Sequence, residues 1–336
     1  MTQGCIFVWR RVLQVALAAL MALCALALLT GCGGSSEARP SGGSASEGKP
    51  ASQSSDQGDG TTSGPPYTEP SSVITATFDE ATSQLTADAA IDTSTCAQGY
   101  VGASATASSR LKLLITKGDQ SYNYDMSTEG APLIAPLNMG DGAYSFRIMQ
   151  NTGGSNYVEV ASTTADVQLE SEFAPYLHPN VFCDFTANSA CVKKAFELAK
   201  DATNEGDVVR SIYDWMTHTI TYDTAKAEQL SNTTGYVPNP DDTLAAQTGI
   251  CFDYASLAAA MFRSLGIPCQ IVTGYVSPND VYHAWNMVYI DGEWVSAEIT
   301  VGPDEWTRID LTFASAQGGN AGYIGDGTTY NTRYTY

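Results

Sequence analysis

The chain has 336 residues, 43% of them hydrophobic, enough for a large core and for about two domains with additional segments. Its 36 Asp and Glu against 16 Lys and Arg give a formal net charge of -20, which argues against nucleic acid, other polyanions and bare anionic lipid as partners.

Residues 1–31 carry Arg10 and Arg11, then an apolar run from Val12 to Leu29 broken by Gln14, then Leu29-Thr30-Gly31-Cys32. This is the pattern of a lipoprotein signal peptide; the alternative is a short membrane-spanning helix. Small residues before Cys32 and a Gly and Ser tract after it favour processing, so the mature chain is expected to start at Cys32, diacylated on sulfur. Two or three acyl chains bind a membrane firmly, where one binds marginally. The expected location is the extracellular face of the cell membrane, with Cys32 as the anchor.

Residues 32–70 are Gly, Ser, Pro, Thr and small acids, a composition that cannot offset the entropy of folding. They read as a disordered tether with a root-mean-square span on the order of 30 to 40 Å. From residue 71 to 173 short alternating runs follow: Val73 to Phe78, Leu111 to Thr116, Ala143 to Gln150 and Tyr157 to Ala161. Lys117-Gly118-Asp119 and Gly140-Asp141-Gly142 punctuate them. An antiparallel β-sandwich is predicted. Its Tyr122, Tyr124, Tyr144 and Tyr157 suit either a carbohydrate platform or cross-strand packing, the commoner role.

Residues 174–336 change to helix spacing followed by strands. Val192, Ala195, Phe196 and Ala199, then Val208, Ile212, Trp215 and Met216, predict two helices covering a sheet. Cys251, Tyr254, Ala255, Ala258, Phe262 and Leu265 share one face of a third, with Thr248 or Gly249 as N-cap and Gly266 and Pro268 as stop. Cys251 then sits in the first turn, where free N–H groups and the helix dipole favour a thiolate. Asp253 opposes that effect. Gln270 to Val276, His283 to Ile290 and Trp294 to Thr300 read as strands, the last two joined at Asp291-Gly292. His283 is thereby placed near the start of a central strand.

A thiol becomes a nucleophile as thiolate, and an imidazole held by a third group can take its proton. Cys251 and His283 supply the first two. His178 lies in a predicted turn, and His218 ends a helix where a cation suits the dipole. For the acid, two segments share the pattern Trp, three residues, acid, one residue, Thr: they place Glu298 and Asp310. With a two-residue turn at Asp291-Gly292, Glu298 pairs across from Trp285 on the face of His283, which favours Glu298 on register.

These residues resemble the transglutaminase-like branch of the papain-type thiol enzymes. The resemblance rests on Gly249-Ile250-Cys251-Phe252-Asp253-Tyr254-Ala255-Ser256-Leu257, Gly266-Ile267-Pro268, Gly274-Tyr275, His283-Ala284-Trp285-Asn286 and Asp310-Leu311-Thr312-Phe313, and covers roughly residues 190–336. It implies an α+β fold, an N-terminal antiparallel β-sandwich followed by helices packed on an antiparallel sheet. It also implies a triad of Cys251 as nucleophile, His283 as base and acid, and Asp310 as the orienting carboxylate. Asp310 fits the family's Asp-x-Thr-Phe motif better than Glu298, the alternative acid. Many relatives add a side-chain amide to the oxyanion hole, for which Gln247 is the nearest residue.

A lone cysteine on an apolar helix face is usually core, as Cys269 reads here. Outside the leader and Cys32, Cys96, Cys183, Cys191, Cys251 and Cys269 leave an odd thiol; Cys183 with Cys191, or Cys96 with Cys269, are conceivable pairs. A zinc site at Cys251 and His283 lacks paired CxxC or HxxxH spacing, so neither metal nor other cofactor is expected. The expected activity is acyl transfer at peptide or amide bonds of proteins or cell-wall peptides. An amine acceptor would make a protein-crosslinking transglutaminase, and a silent surface-binding scaffold is the non-enzymatic alternative.

Overall fold

A computed structural model describes residues 62, 64–231, 233–276, 281–290, 293–296, 300–301, 306–307 and 330–336. The signal peptide, Cys32, Glu298 and Asp310 lie outside the described residues.

The first part of the chain builds eight strands: β1 (Gln84–Leu85), β2 (Ala89–Asp92), β3 (Tyr100–Ala105), β4 (Leu111–Lys117), β5 (Gln120–Met126), β6 (Leu133–Pro136), β7 (Gly142–Gly153) and β8 (Asn156–Val167). They form two antiparallel sheets, β1-β2-β3-β6 and β5-β4-β7-β8. Period-two alternation sends Leu111, Leu113 and Ile115 of β4 and Tyr144, Phe146 and Ile148 of β7 inward. There they meet Ile91, Val101, Ala103 and Ala135 of the other sheet in one core, which is the expected sandwich.

The tyrosines serve packing. Tyr124 and Tyr144 are buried in that core, and the Tyr122 ring lies 5.5 Å from Tyr334 and 5.8 Å from Tyr336. Tyr157 accepts a hydrogen bond at 3.1 Å from Arg110 Nε at the surface.

The second part begins with α1 (Ala190–Ala199) and α2 (Glu205–Thr219), then β9 (Thr221–Tyr222), α3 (Thr224–Leu230), α4 (Pro240–Ala246), β10 (Thr248–Gly249) and α5 (Cys251–Ser264). Asn204 and Asp207 close a reciprocal capping box on α2, with N–H to side-chain distances of 3.0 and 3.2 Å. No side chain of its own caps α1; Asp241 of α4 does so, accepting from Ala190 and Cys191 N–H at 3.0 and 2.8 Å. Pro65 and Tyr67, from the end of the predicted tether region, pack by backbone hydrogen bonds onto Glu205 and Thr203 beside α2.

After α5 come β11 (Cys269–Val276), β12 (Val281–Ile290), β13 (Glu293–Ser296), β14 (Thr300–Val301), β15 (Trp306–Thr307) and β16 (Tyr330–Thr335). One antiparallel sheet runs β13-β12-β11-β16, so β12 is central as expected. Ile290 pairs with Glu293 across Asp291-Gly292, the register of a two-residue connection. The edge strand β16 has no counterpart among the elements expected from the sequence. Tyr336 beyond it exchanges both backbone hydrogen bonds with Ile271 at 2.8 Å, and its ring touches Phe182 at 4.6 Å, where the two cores meet.

Helix α5 is the centre of the second core. Every residue from Asp253 to Ser264 is buried, so the apolar stripe understates its burial. The run Ala258-Ala259-Ala260 is what lets neighbours approach on all sides. Among the described residues, no helix is long and apolar enough to cross a membrane.

Candidate active site

Thr248 and Gly249 do not cap the helix. They form β10, paired in parallel with Thr221 and Tyr222 of β9, and Ile250 is the N-cap residue. The reason is backbone satisfaction: Thr221 N–H donates to Gln247 O and Asp223 N–H to Gly249 O, each at 2.9 Å, which holds this segment extended. Cys251 therefore opens a 14-residue helix, at the end where free N–H groups and the helix dipole favour negative charge.

Four of the five described cysteines are deep in the cores, and all five are free thiols, so neither conceivable pairing is formed. Burial pushes the thiols of Cys96, Cys183 and Cys269 each up to about 12, and Cys191 higher still. Those four are held as neutral thiols at physiological pH. Cys251 differs in being half-buried at a helix start.

Around this turn the side chain of Asp253 is fully buried and accepts three hydrogen bonds. The donors are Ile250 N–H at 2.8 Å, Lys226 Nζ at 2.6 Å and the Tyr236 hydroxyl. The opposition of Asp253 to a thiolate, expected from sequence, is thus met by a cation from α3. Burial pulls the Lys226 ammonium down, but Asp253 and Tyr236 together outweigh it and hold it above the usual lysine range. Burial and the bond to Asp253 push Tyr236 up to about 12.

Gly249 makes this packing possible, since a Cβ there would lie 2.6 Å from Asp253 Cβ. Gly249→Ala is expected to lower stability by about 1–3 kcal/mol through overpacking. The check is a urea titration: a fall in midpoint at unchanged slope supports the contact, and a wild-type midpoint refutes it.

His283 is buried on β12 and stands opposite Gly274 of β11, where a Cβ would collide with the Asn331 carbonyl of β16. Asn286, three residues on, donates to Ala255 O of α5 at 2.9 Å and to Gln270 O at 3.2 Å. At the other end of α5, Arg263 Nε donates to the carbonyl of Cys269, which pairs with Val288. Helix and strand therefore run in the same direction, and Cys251 and His283 lie toward the same end of the pair.

Alternation along β12 turns Ala284, Asn286 and Val288 to the α5 side. His283 and Trp285 take the other, their rings 6.4 Å apart and nearly parallel. The structure thus brings Cys251 and His283 to one end of one helix–strand pair.

Gln247 is exposed in the left-handed region (φ 52°) as the C-cap of α4, and its backbone carbonyl is taken by Thr221. His178 and His218 are both occupied elsewhere: their Nδ1 atoms bond to the carbonyls of Ala174 at 3.0 Å and Asp214 at 2.7 Å. Sequence reasoning missed Lys226 and Tyr236. No local pattern marks them, because both reach Asp253 across loops. Among the described residues no group of His, Cys, Asp and Glu could hold a metal ion.

Residues 192–299 match the family model of the transglutaminase-like superfamily, a stretch that contains Cys251, His283 and Glu298 and ends before Asp310. The human Kyphoscoliosis peptidase is 32% identical over 127 residues, 35% of this chain and 19% of that protein, so the chain spans about a fifth of that relative's length. Among solved structures, a candidate cysteine protease from Cytophaga hutchinsonii shares 18% identity at a TM-score of 0.33, covering 68% of this chain and 79% of the other. The periplasmic domain of TgpA from Pseudomonas aeruginosa shares 15% identity at a TM-score of 0.29, covering 70% and 76%. The chain carries a transglutaminase-like domain, with Cys251 at the start of its central helix.

Proposed function

We propose that the protein is a cysteine-dependent acyl-transfer enzyme that hydrolyses peptide or amide bonds of proteins or cell-wall peptides, held at the extracellular face of the membrane through lipidated Cys32. The observation that carries the reading is the position of Cys251: a half-buried thiol on the first residue of the central helix, in a chain whose other described thiols are sequestered.

In this mechanism the Cys251 thiolate adds to the carbonyl carbon of the scissile amide, and the Cys251 N–H donates to the oxyanion. The C–N bond breaks as protonated His283 gives its proton to the leaving amine, and a thioester remains on Sγ. Water then adds to the thioester carbonyl, His283 takes its proton, and the acid departs with the Cys251 thiolate and protonated His283 restored. An amine in place of water would give a new amide and a crosslinking enzyme. Hydrolysis is preferred because the human relative over the matched stretch bears the name peptidase.

The test compares wild type with Cys251→Ala on a fluorogenic peptide library, with and without a labelled primary amine. The expected result is product release and a thioester-mass adduct in wild type, with at least a ~10³-fold loss in the variant. Incorporation of the amine would move the reading to crosslinking. Equal release by both proteins would leave the scaffold as the surviving interpretation.

A further inference from the structure

We infer that Lys226 is a positioning residue for the Cys251 nucleophile: bound to Asp253, it cancels the carboxylate that stands two residues along the helix from the sulfur. The inference rests on the reading of Cys251 as nucleophile and adds to it the group that keeps the first helical turn receptive to a thiolate.

An acid at the third position of a helix is a good cap, and Asp253 does cap, accepting the Ile250 N–H at 2.8 Å. The same anion competes with a thiolate for the positive potential of the helix start. At a surface, water would screen the competition. Asp253 is fully buried, so its field reaches the neighbouring sulfur unless a counter-charge stands against it.

Lys226 is built to be that counter-charge. Its backbone N–H is fixed at 2.8 Å by Asp223, the cap of α3, and its Nζ lies 2.6 Å from Asp253 Oδ2 and 4.9 Å from the Tyr236 ring centroid. The Tyr236 hydroxyl donates to the second carboxylate oxygen. Three elements, α3, the loop carrying Tyr236 and the N-cap of α5, thus converge on one carboxylate. The titratable groups on the elements around the turn include Tyr222 of β9, Asp223 at the cap of α3 with Lys226 and Glu228 on it, Tyr236, Asp241 and Asp242 of α4, Cys251, Asp253 and Tyr254 of α5, and His283 of β12. Among the described residues Lys226 is the cation bonded to Asp253.

The experiment is the pH profile of Cys251 alkylation by iodoacetamide, read by peptide mass, on the full chain. The proteins are wild type, Lys226→Met, Lys226→Arg, Asp253→Asn and the double variant Lys226→Met/Asp253→Asn. Lys226→Met should raise the midpoint by about one pH unit and slow alkylation at pH 7 about tenfold. Lys226→Arg should stay near wild type. The double variant should return toward it, because asparagine still accepts the Ile250 N–H while the charge is gone.

A Lys226→Met midpoint equal to wild type overturns the inference. So does a double variant displaced as far as Lys226→Met, which would mark Lys226 as a packing residue alone. Wild-type Cys251 titrating like an ordinary free thiol would instead count against the enzyme reading. The difference between the single and double variants would still decide the role of Lys226.

Discussion

Arg263→Met is expected to lower the free energy of unfolding by about 3–5 kcal/mol, more than the loss expected of Gly249→Ala. The Arg263 guanidinium is fully buried in the last turn of α5 and donates to three backbone carbonyls, each at 2.9 Å: Nε to Cys269, one terminal nitrogen to His178 and the other to Tyr336. Those carbonyls belong to the start of β11, the segment leading out of the sandwich, and the residue after β16. One planar fork therefore ties the central helix to the nearby start of β11 and to two distant parts of the chain.

Methionine roughly fills the volume but takes a donor from three carbonyls, of which Tyr336 O keeps the Ile271 N–H; an acceptor left unmet costs about 1–3 kcal/mol, partly offset by release from burying a charge. Lysine should recover less than half of the loss, since a compact ammonium on a flexible stem does not span three carbonyls in the fork geometry. Urea unfolding of the three proteins decides it. A Met variant within about 1 kcal/mol of wild type would mean that water or rearranged backbone meets the carbonyls.

Arg263 also shows where sequence reading stops. A basic residue near a helix C-terminus ordinarily reads as a solvated partner of the dipole, and nothing nearby in sequence announces burial. The helix itself is legible from Tyr254, Ala255, Ala258, Phe262 and Leu265, all buried as their spacing predicts. Its start falls one or two residues later than the cap pattern suggests because Thr248 and Gly249 suit a cap in isolation, whereas pairing with β9 claims them.

Strands β4, β7 and β8 of the sandwich and the pair β11 and β12 are readable because alternation, or a continuous apolar run, survives in their sequences, whereas the run Val73 to Phe78, expected among the strands, forms none. Strand β16 is not readable. Tyr330, Asn331, Thr332, Arg333, Tyr334 and Thr335 leave an edge strand largely exposed, without the hydrophobic face that pattern reading needs. The thiol and the imidazole are legible by residue type and motif; the environment of Asp253 is not, since Lys226 lies 27 positions away with a separate helix of its own. Likewise, nothing in His283-Ala284-Trp285-Asn286 says that Asn286 is the residue tied to the central helix. That follows from the packing of a sheet against α5.

His283→Ala is expected to slow formation of the Cys251 acyl adduct by about 10²- to 10⁴-fold, the range in which a positioned acid and base contributes. Asn286 fixes β12 on α5 through Ala255, with His283 a few residues before it and Cys251 one helical turn before Ala255. His283→Ala should remove the limb of the pH–rate profile that reports imidazole ionisation and leave the unfolding free energy from a urea titration within about 1 kcal/mol of wild type. Asp310→Asn and Glu298→Gln then separate the two carboxylates: the one that orients the ring should reduce the rate and shift that limb, and the other should leave it in place. A rate within tenfold of wild type in His283→Ala would assign the proton transfer to another group and break the proposed triad at its centre.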